Sequence, residues 1–253
     1  MKETGKSYFV KSDYSELWTT DLKKGGQKAP THILKSIEKI QSKKTILEIG
    51  SGNGNILTLL SKKDSNTVGL DLSIQLLDAS RKRSDISRKN THLICGDGMA
   101  LPLREKSVSD VLCIQTSWYI LDLEKLLFEV KFIQEDMGLF ICDYILPDVS
   151  TRIRDGIEIF INKSIQLKLS THFLQILISC SAFMNKFVKY SPGKGPYFRL
   201  LDKGWLRSAF IFGLPPIRTR NVQTIIQTYI KTDLRIRNLK VHSKNFITII
   251  SKN

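Results

Sequence analysis

The chain has 253 residues, of which 42% are hydrophobic and 25% are charged, and its formal net charge is +15 at pH 7. This composition is typical of a soluble globular protein with a substantial buried core. No apolar run reaches the roughly 18 residues of a membrane-spanning helix, and the N-terminus lacks the apolar region of a secretory signal. The four cysteines form no C-x-x-C pair, so we expect a cytoplasmic protein with no metal site and no disulfides.

Nearly all of the excess positive charge lies in the C-terminal part of the chain. Residues 1–150 carry 21 basic and 20 acidic side chains, whereas residues 151–253 carry 18 basic and only 4 acidic ones. Such an asymmetry favours an anionic partner: a phosphorylated small molecule, a nucleic acid or an anionic lipid surface. A solvated, lysine-rich surface without a partner is the alternative interpretation.

The central part of the chain, residues 43–148, predicts strands that alternate with helices. The predicted strands are at 45–50, 67–73, 91–98, 107–117 and 138–146, and the predicted helices are at 55–63, 74–84 and 123–133. Because nearly continuous apolar strands alternate with amphipathic helices, we expect a parallel α/β sheet with helices on both faces.

The pattern changes after the fifth predicted strand. Residues 149–200 predict a helical insertion, which we expect to cover a substrate pocket. The remainder, 201–253, predicts a helix at 202–213 and two last strands at 222–230 and 245–252 that complete the sheet, with a basic segment between these strands.

Three glycines follow the first predicted strand at every second position, in the stretch ILEIGSGNGNIL (46–57). Gly50, Gly52 and Gly54 leave backbone N–H groups uncovered where the strand ends and a helix begins, so a ligand can lie against the main chain. This edge is where open parallel sheets bind ligands. The dinucleotide fingerprint G-x-G-x-x-G would need a glycine at position 55, which is Asn55.

Acidic residues stand at the ends of three successive predicted strands. Glu48 precedes the glycines, Asp71 ends the second strand and Asp97 ends the third. A carboxylate at Asp71 can accept hydrogen bonds from the two hydroxyls of a ribose, and Asp97 can accept one from an exocyclic amine. Each acid alone is also an ordinary helix cap, but capping alone explains the whole set poorly.

The stretches LEIGSGNG, VGLDLS and ICGDGMALPL resemble the first three motifs of the class I S-adenosylmethionine-dependent methyltransferases. The resemblance implies a Rossmann-like, seven-stranded, mostly parallel sheet with a reversed final hairpin, and S-adenosylmethionine as cofactor. EDMG replaces the family's usual Lys-Pro-Gly-Gly turn, and the stretch after the fourth strand lacks the Asn-Pro-Pro-aromatic signature of DNA-base amino methylases. The cofactor-binding residues that the resemblance implies are Glu48, Gly50, Ser51, Gly52, Gly54, Asp71, Leu72, Asp97, Gly98, Met99 and Gln115.

The resemblance also implies a role for most of these positions. The three glycines would lie under the methionine portion of the cofactor, with Glu48 near its ammonium. Asp71 would bind the ribose hydroxyls, and Asp97 and Met99 would surround the adenine. SDYSELW resembles the N-terminal segment that folds over the cofactor in the family's small-molecule methyltransferase branch. Residues 1–42 are therefore predicted to be a helical lid that contains Tyr14 and Trp18.

The acceptor side of the pocket is less well defined by the sequence. Trp118 and Tyr119 follow the fourth strand, where they either form a wall of the substrate pocket or simply pack under the next helix. Transfer of an activated methyl group mainly requires orientation of the acceptor, and a general base only where the acceptor must lose a proton. No base stands out, and His172 is the candidate if a histidine acts.

Two substrate classes remain open. The first is a small molecule, favoured as anionic or phosphate-bearing because of the basic C-terminal half, and a membrane surface is a variant of this reading. The second is RNA bound through its backbone by the same basic half. A non-catalytic protein with a cofactor-binding fold is a third possibility, and the sequence does not define the oligomeric state.

Overall fold

The computed structural model describes residues 35, 37–38, 40, 43–83, 90–145, 220, 222–243 and 246–253. These residues form seven strands and four α-helices. The strands are β1 Thr45–Ile49, β2 Asn66–Asp71, β3 Thr91–Cys95, β4 Asp110–Cys113, β5 Leu139–Ile145, β6 Arg235–Ser243 and β7 Phe246–Lys252. The helices are α1 Asn55–Leu60, α2 Ile74–Arg81, α3 Leu123–Ile133 and α4 Val222–Lys231.

The seven strands form one mixed sheet in the order β3-β2-β1-β4-β5-β7-β6. Strands β1 to β5 pair in parallel, whereas β7 runs antiparallel to both β5 and β6. The predicted Rossmann-like, mostly parallel sheet with a reversed final hairpin is therefore confirmed. Since the chain moves outward from β1 to β3 and then returns to β4, the strand order reverses between β1 and β4, and this is the position where such sheets bind ligands.

Helices cover both faces of the sheet, as predicted. On one face, α3 and α4 pack against side chains of β4, β5 and β7, including Val111, Phe140 and Ile249. On the other face, α1 packs against Leu112 and Ile141. Neighbouring residues of β4 and β5 thus enter opposite cores, as the alternation of a strand requires.

The buried hydroxyls of Tyr144 on β5 and Tyr229 on α4 lie 2.8 Å apart and form a hydrogen bond. The ring of Tyr229 also stacks on Phe140 of β5. Helix α4 is therefore held against the sheet by apolar packing and by a satisfied polar pair.

The prediction of a strand at 222–230 is wrong, because these residues belong to α4. The segment is rich in β-branched residues, which favour strands. Its buried residues, however, are Ile225, Ile226 and Tyr229, and this spacing is that of a helix face. The second partner of β7 is instead β6, which lies in the basic segment between the two predicted strands.

Among the strands that the structure describes, β6 lies at the edge of the sheet and pairs with β7 alone. Arg235, Arg237 and Lys240 are exposed along it, between less exposed residues. Charged side chains are common on edge strands because they discourage unwanted pairing with other chains. The basic composition of β6, because of which the strand was not predicted, is thus consistent with its edge position.

Several predictions fall on residues outside the described ranges. They are the helical insertion at 149–200, the helix at 202–213 and most of the lid at 1–42, together with Tyr14, Trp18 and His172. Within the described ranges, no helix combines the length and the apolar character needed to cross a bilayer.

Candidate cofactor site

A cleft opens where the carboxyl ends of β1, β2 and β4 meet, at the reversal of strand order. Ten of the eleven predicted cofactor residues line it. They are Glu48, Gly50, Ser51, Gly52, Asp71, Leu72, Asp97, Gly98, Met99 and Gln115. The sequence prediction of the cleft's position is therefore consistent with the structure, and the exception is Gly54.

The glycine loop is held against β2 by its own backbone. The N–H groups of Gly50 and Ser51 both donate to the carbonyl of Leu70, at 2.7 and 3.0 Å. Gly50 has φ +75°, and a Cβ there would stand 2.2 Å from Oγ1 of Thr116. Only glycine therefore permits the loop to pack this closely on the segment after β4.

Gly52 has different surroundings although its backbone is also left-handed. Its φ is +52°, and a Cβ built on it would meet nothing within 4 Å. Because Gly52 lines the cleft, this open space is available to a ligand that lies against the main chain.

Gly54 occupies the start of α1 and does not line the cleft. Its φ is +84°, and its carbonyl accepts hydrogen bonds from the N–H and the Oγ1 of Thr58, both at 3.0 Å. The structure thus gives Gly54 a role in beginning the helix, and it does not place this residue under a ligand.

Asp71 connects the second strand to the glycine loop. Its Oδ2 accepts the N–H of Gly52 at 2.8 Å, and its Oδ1 accepts the N–H of Ser73 at 2.8 Å. Burial raises the pKa of Asp71, and these two hydrogen bonds oppose the rise. Each carboxylate oxygen has a further lone pair, so Asp71 can brace the loop and still accept a hydrogen bond from a ligand hydroxyl.

Glu48 is buried and lines the cleft. Burial, and secondarily the charge of Asp71, raise the pKa of Glu48 well above its ordinary value, against a hydrogen bond from the Leu57 backbone that lowers it. Among the described residues, its Oε2 and the Oγ of Ser51 have no hydrogen-bond partner. Buried polar atoms are costly when unpaired, so both oxygens are suited to a ligand that carries polar groups.

A short turn after β3 forms another side of the cleft. Oδ1 of Asp97 accepts the N–H of Met99 at 2.9 Å, and a Cβ on Gly98 would stand 2.7 Å from Cγ2 of Ile49. The turn therefore packs tightly against β1. Met99 is buried, and its Sδ accepts the N–H of Asp122 at the start of α3.

The segment after β4 contributes Gln115 and Tyr119 to the cleft. Trp118 is buried and is not among the lining residues, so its position favours packing over a pocket wall. Asp143 and Arg220 form hydrogen bonds with this segment and were not predicted from the sequence. For Asp143 a signal was present, since a carboxylate stands inside the apolar strand FICDYI.

The geometry fits an adenosyl amino acid with a cationic ammonium. Gly52 leaves room along the main chain, Glu48 offers an unpaired carboxylate oxygen, and Asp71 and Asp97 stand at the ends of the neighbouring strands. Such a ligand would place its ammonium by Glu48 and its ribose by Asp71, where the acceptor oxygens can bind them.

Comparisons with known proteins identify methyltransferases as similar proteins. Residues 47–142 match a family model described as "Methyltransferase domain". The chain is also 38% identical, over 90 residues, to the malonyl-[acyl-carrier protein] O-methyltransferase of Marinomonas sp. (strain MWYL1). This match covers 34% of the chain and 33% of that protein, so it spans only about a third of the curated relative.

Solved structures of similar fold cover nearly the whole chain. A SAM-dependent methyltransferase from Aquifex aeolicus matches with a TM-score of 0.55 and 12% identity, over 99% of this chain and 98% of that one. An S-adenosylmethionine dependent methyltransferase from Mesorhizobium loti matches with a TM-score of 0.58 and 12% identity, over 88% and 96%. At these identities the likeness shows the fold.

Proposed function

We propose that the protein is an S-adenosylmethionine-dependent methyltransferase that acts on a small molecule. Residues 47–142 match a methyltransferase domain, and the chain shares its fold with a solved SAM-dependent methyltransferase. The observation that carries this proposal is the open space at Gly52, whose N–H is held by the Asp71 carboxylate in the cleft. The bound cofactor would supply a sulfonium methyl group that is already activated for transfer to an O, N or C atom.

The chain's own residues have to bind, orient and shield the reactants. Glu48, Asp71 and Asp97 would hold the cofactor by its polar groups, while Tyr119 and Ile120 line the cleft with largely apolar surface. Fixing the acceptor in line with the methyl group lowers the barrier by roughly 7–11 kcal/mol in well-oriented systems. No general base is assigned, because the acceptor atom decides whether one is needed.

We expect the acceptor to be an anionic or phosphate-bearing small molecule of the natural-product, sugar or lipid type. The excess positive charge after residue 150 supports this expectation. The curated relative is named for O-methylation of malonyl-[acyl-carrier protein], which is consistent with a small acidic group as the acceptor.

RNA is the second candidate acceptor. Exposed Arg235, Arg237 and Lys240 on β6 favour it, because a row of cations can bind phosphates. However, β6 is separated from β4 by β5 and β7, so this row is not next to the cleft. The small-molecule acceptor therefore remains the main proposal.

The test is a methyl-transfer screen with S-adenosylmethionine labelled in its methyl group, offered to metabolite and RNA fractions of the source cells. We expect label in the metabolite fraction and none in RNA. Label in RNA, together with RNA binding that weakens steeply with salt, would replace the small-molecule proposal. A Gly52→Val variant is the control, because a signal that survives it does not come from this cleft.

A further inference from the structure

The segment that follows β4 has a backbone that needs outside support. We call residues 115–120 the β4 loop. Gln115, its first residue, has φ +55°, a left-handed conformation that residues other than glycine rarely adopt. The loop continues into a short 3-10 helix, Ser117–Tyr119. Four of its residues line the cleft: Gln115, Thr116, Tyr119 and Ile120.

Asp143 of β5 supports the start of the β4 loop. Its Oδ1 accepts the N–H of Gln115 at 2.8 Å, and its carbonyl accepts the hydroxyl of Ser117. Asp143 is 2% exposed and does not line the cleft. A carboxylate inside an apolar strand costs stability, and here its Oδ1 is bound to the β4 loop, while the contact with Ser117 is made by the backbone carbonyl.

Arg220 supports the end of the same loop. Its backbone N–H donates to the carbonyl of Ile145, which anchors it at the carboxyl end of β5. Its guanidinium donates from Nη1 to the carbonyl of Ser117 at 2.9 Å, and from Nη2 to the carbonyl of Ile120. A cation at the carboxyl end of a helical turn is electrostatically favoured.

We propose that Asp143 and Arg220 are positioning residues, which hold the β4 loop in the conformation that presents Gln115 and Tyr119 to the cleft. Neither residue lines the cleft itself, so both act through the loop. The inference deepens the proposed function, because it concerns the wall where the cofactor and the acceptor would meet.

The geometry explains why both residues are needed. Asp143 fixes the N–H of Gln115 and the hydroxyl of Ser117, whereas Arg220 fixes the carbonyls of Ser117 and Ile120. Thr116 adds a third contact, since its Oγ1 donates to the carbonyl of Gly50 at 3.2 Å and so ties the loop to the glycine loop. Displacement of the β4 loop would therefore change the shape of the cleft both at the β4 loop and at the glycine loop.

Hydrogen exchange of the full chain tests the inference directly. Asp143→Ala and Arg220→Met remove the side-chain contacts, whereas Asp143→Asn and Arg220→Lys keep an acceptor or a donor at the same place. We expect amides of the β4 loop to exchange about tenfold faster in the first two variants, equivalent to ~1.4 kcal/mol of local opening. Amides of β1 to β3 should be unchanged, and the two conservative variants should restore much of the protection.

A matched control is available on α4. Lys231 forms an exposed ion pair with Glu124. Lys231→Met therefore removes a positive charge from α4 but no contact with the β4 loop. In the Lys231→Met variant, amide hydrogen exchange in the β4 loop should keep the wild-type rate. Equal exchange in all variants would overturn the inference, as would an increase spread evenly over the sheet, which would indicate a general loss of stability.

Binding of S-adenosylhomocysteine, measured by calorimetry, separates this inference from the proposed function. We expect Asp143→Ala and Arg220→Met to weaken it about tenfold, with recovery in the conservative variants. A wild-type protein that does not bind S-adenosylhomocysteine would contradict the proposed function, while hydrogen exchange would still decide the positioning role. A wild type that binds, with variants that bind equally well, would overturn the positioning role alone.

Discussion

Gly50 and Gly52 share a left-handed backbone but meet different surroundings. At Gly50 a side chain would collide with Thr116, so glycine is required there for packing. At Gly52 the space is open, so glycine keeps the main chain accessible to a ligand. The two positions therefore affect folding and binding to different degrees.

Gly52→Val should abolish binding of S-adenosylhomocysteine. The substitution puts a branched side chain into the cleft and costs about 1–2 kcal/mol of stability because its φ of +52° disfavours Val. Calorimetry and urea denaturation measure the two effects. Asp64→Val is the matched control, because Asp64 has the same φ of 52° outside the cleft: it should lose similar stability and bind normally. Normal binding by Gly52→Val would contradict the placement of the ligand.

The carboxylate of Asp71 accepts hydrogen bonds from two backbone N–H groups, in addition to any that a ligand would donate. Asp71→Ala should weaken S-adenosylhomocysteine binding by about 1–3 kcal/mol, since it removes hydrogen bonds to the ligand and releases the N–H of Gly52. Calorimetry is the measurement. Asp122→Ala removes a comparable carboxylate cap, at the start of α3, and should lower stability without weakening binding. An affinity unchanged by Asp71→Ala would count against the ribose assignment.

The raised pKa of Glu48 predicts that ligand binding is linked to proton release. Its pKa is raised well above the ordinary value in the free protein, and a ligand ammonium would stabilise the ionised form. Binding should therefore release protons, and affinity should rise with pH until Glu48 is ionised in the free protein as well.

Calorimetry in buffers of different ionisation enthalpy measures this release. Glu48→Gln should bind more weakly and release no proton at this position, whereas Ser51→Ala should keep the proton release. If the wild type released none, or if Glu48→Gln behaved as the wild type does, the ammonium would have to lie elsewhere.

At the scale of the element, α4 shows how packing can outweigh local preference. Its residues favour a strand by type, but the packing of α4 against α3 and the sheet buries Ile225, Ile226 and Tyr229 together. Neighbours such as Ile225 and Ile226 share a buried face only in a helix.

This arrangement is testable by alanine substitution. Ile225→Ala and Ile226→Ala should each lower the free energy of unfolding by about 2–5 kcal/mol, whereas Gln227→Ala, at an exposed position, should stay within about 0.5 kcal/mol. Urea denaturation measures all three. A strand with one buried face would spare either Ile225 or Ile226, so a small effect at one of them would contradict the helix.

At the scale of the whole molecule, buried carboxylates make stability depend on pH. Burial raises the pKa of Asp143 to about 7, and it also raises those of Glu48, Asp71 and Asp110. A folded-state pKa above the unfolded value of about 3.9 means that the folded state binds more protons. For Asp143, the corresponding stability is fully present below about pH 4 and is lost as the pH rises through 7.

Asp143→Asn should make the stability of the protein less dependent on pH. Asn keeps an acceptor for the N–H of Gln115 but does not titrate, so the variant should gain stability relative to the wild type between pH 5 and pH 8. Urea denaturation at the two pH values measures the difference. A constant difference between variant and wild type would show that Asp143 does not titrate in this range.

The parallel part of the sheet and the position of the cleft were predictable from local sequence patterns. Strands β1 to β3 and the residues at their ends were predictable because the motifs are local: Gly50, Gly52, Asp71 and Asp97 stand within a few residues of the elements that position them. Residues outside the described ranges, such as Tyr14 and His172, remain predictions.

The helical state of α4 and the contacts of the β4 loop depended on tertiary packing. The helical state of α4 depends on packing against α3 and the sheet, because its β-branched residues favour a strand by type. The contacts of Asp143 and Arg220 with the β4 loop join residues between 26 and 103 positions apart. Such contacts exist only once the strands have paired, because pairing brings the distant carboxyl ends to one edge.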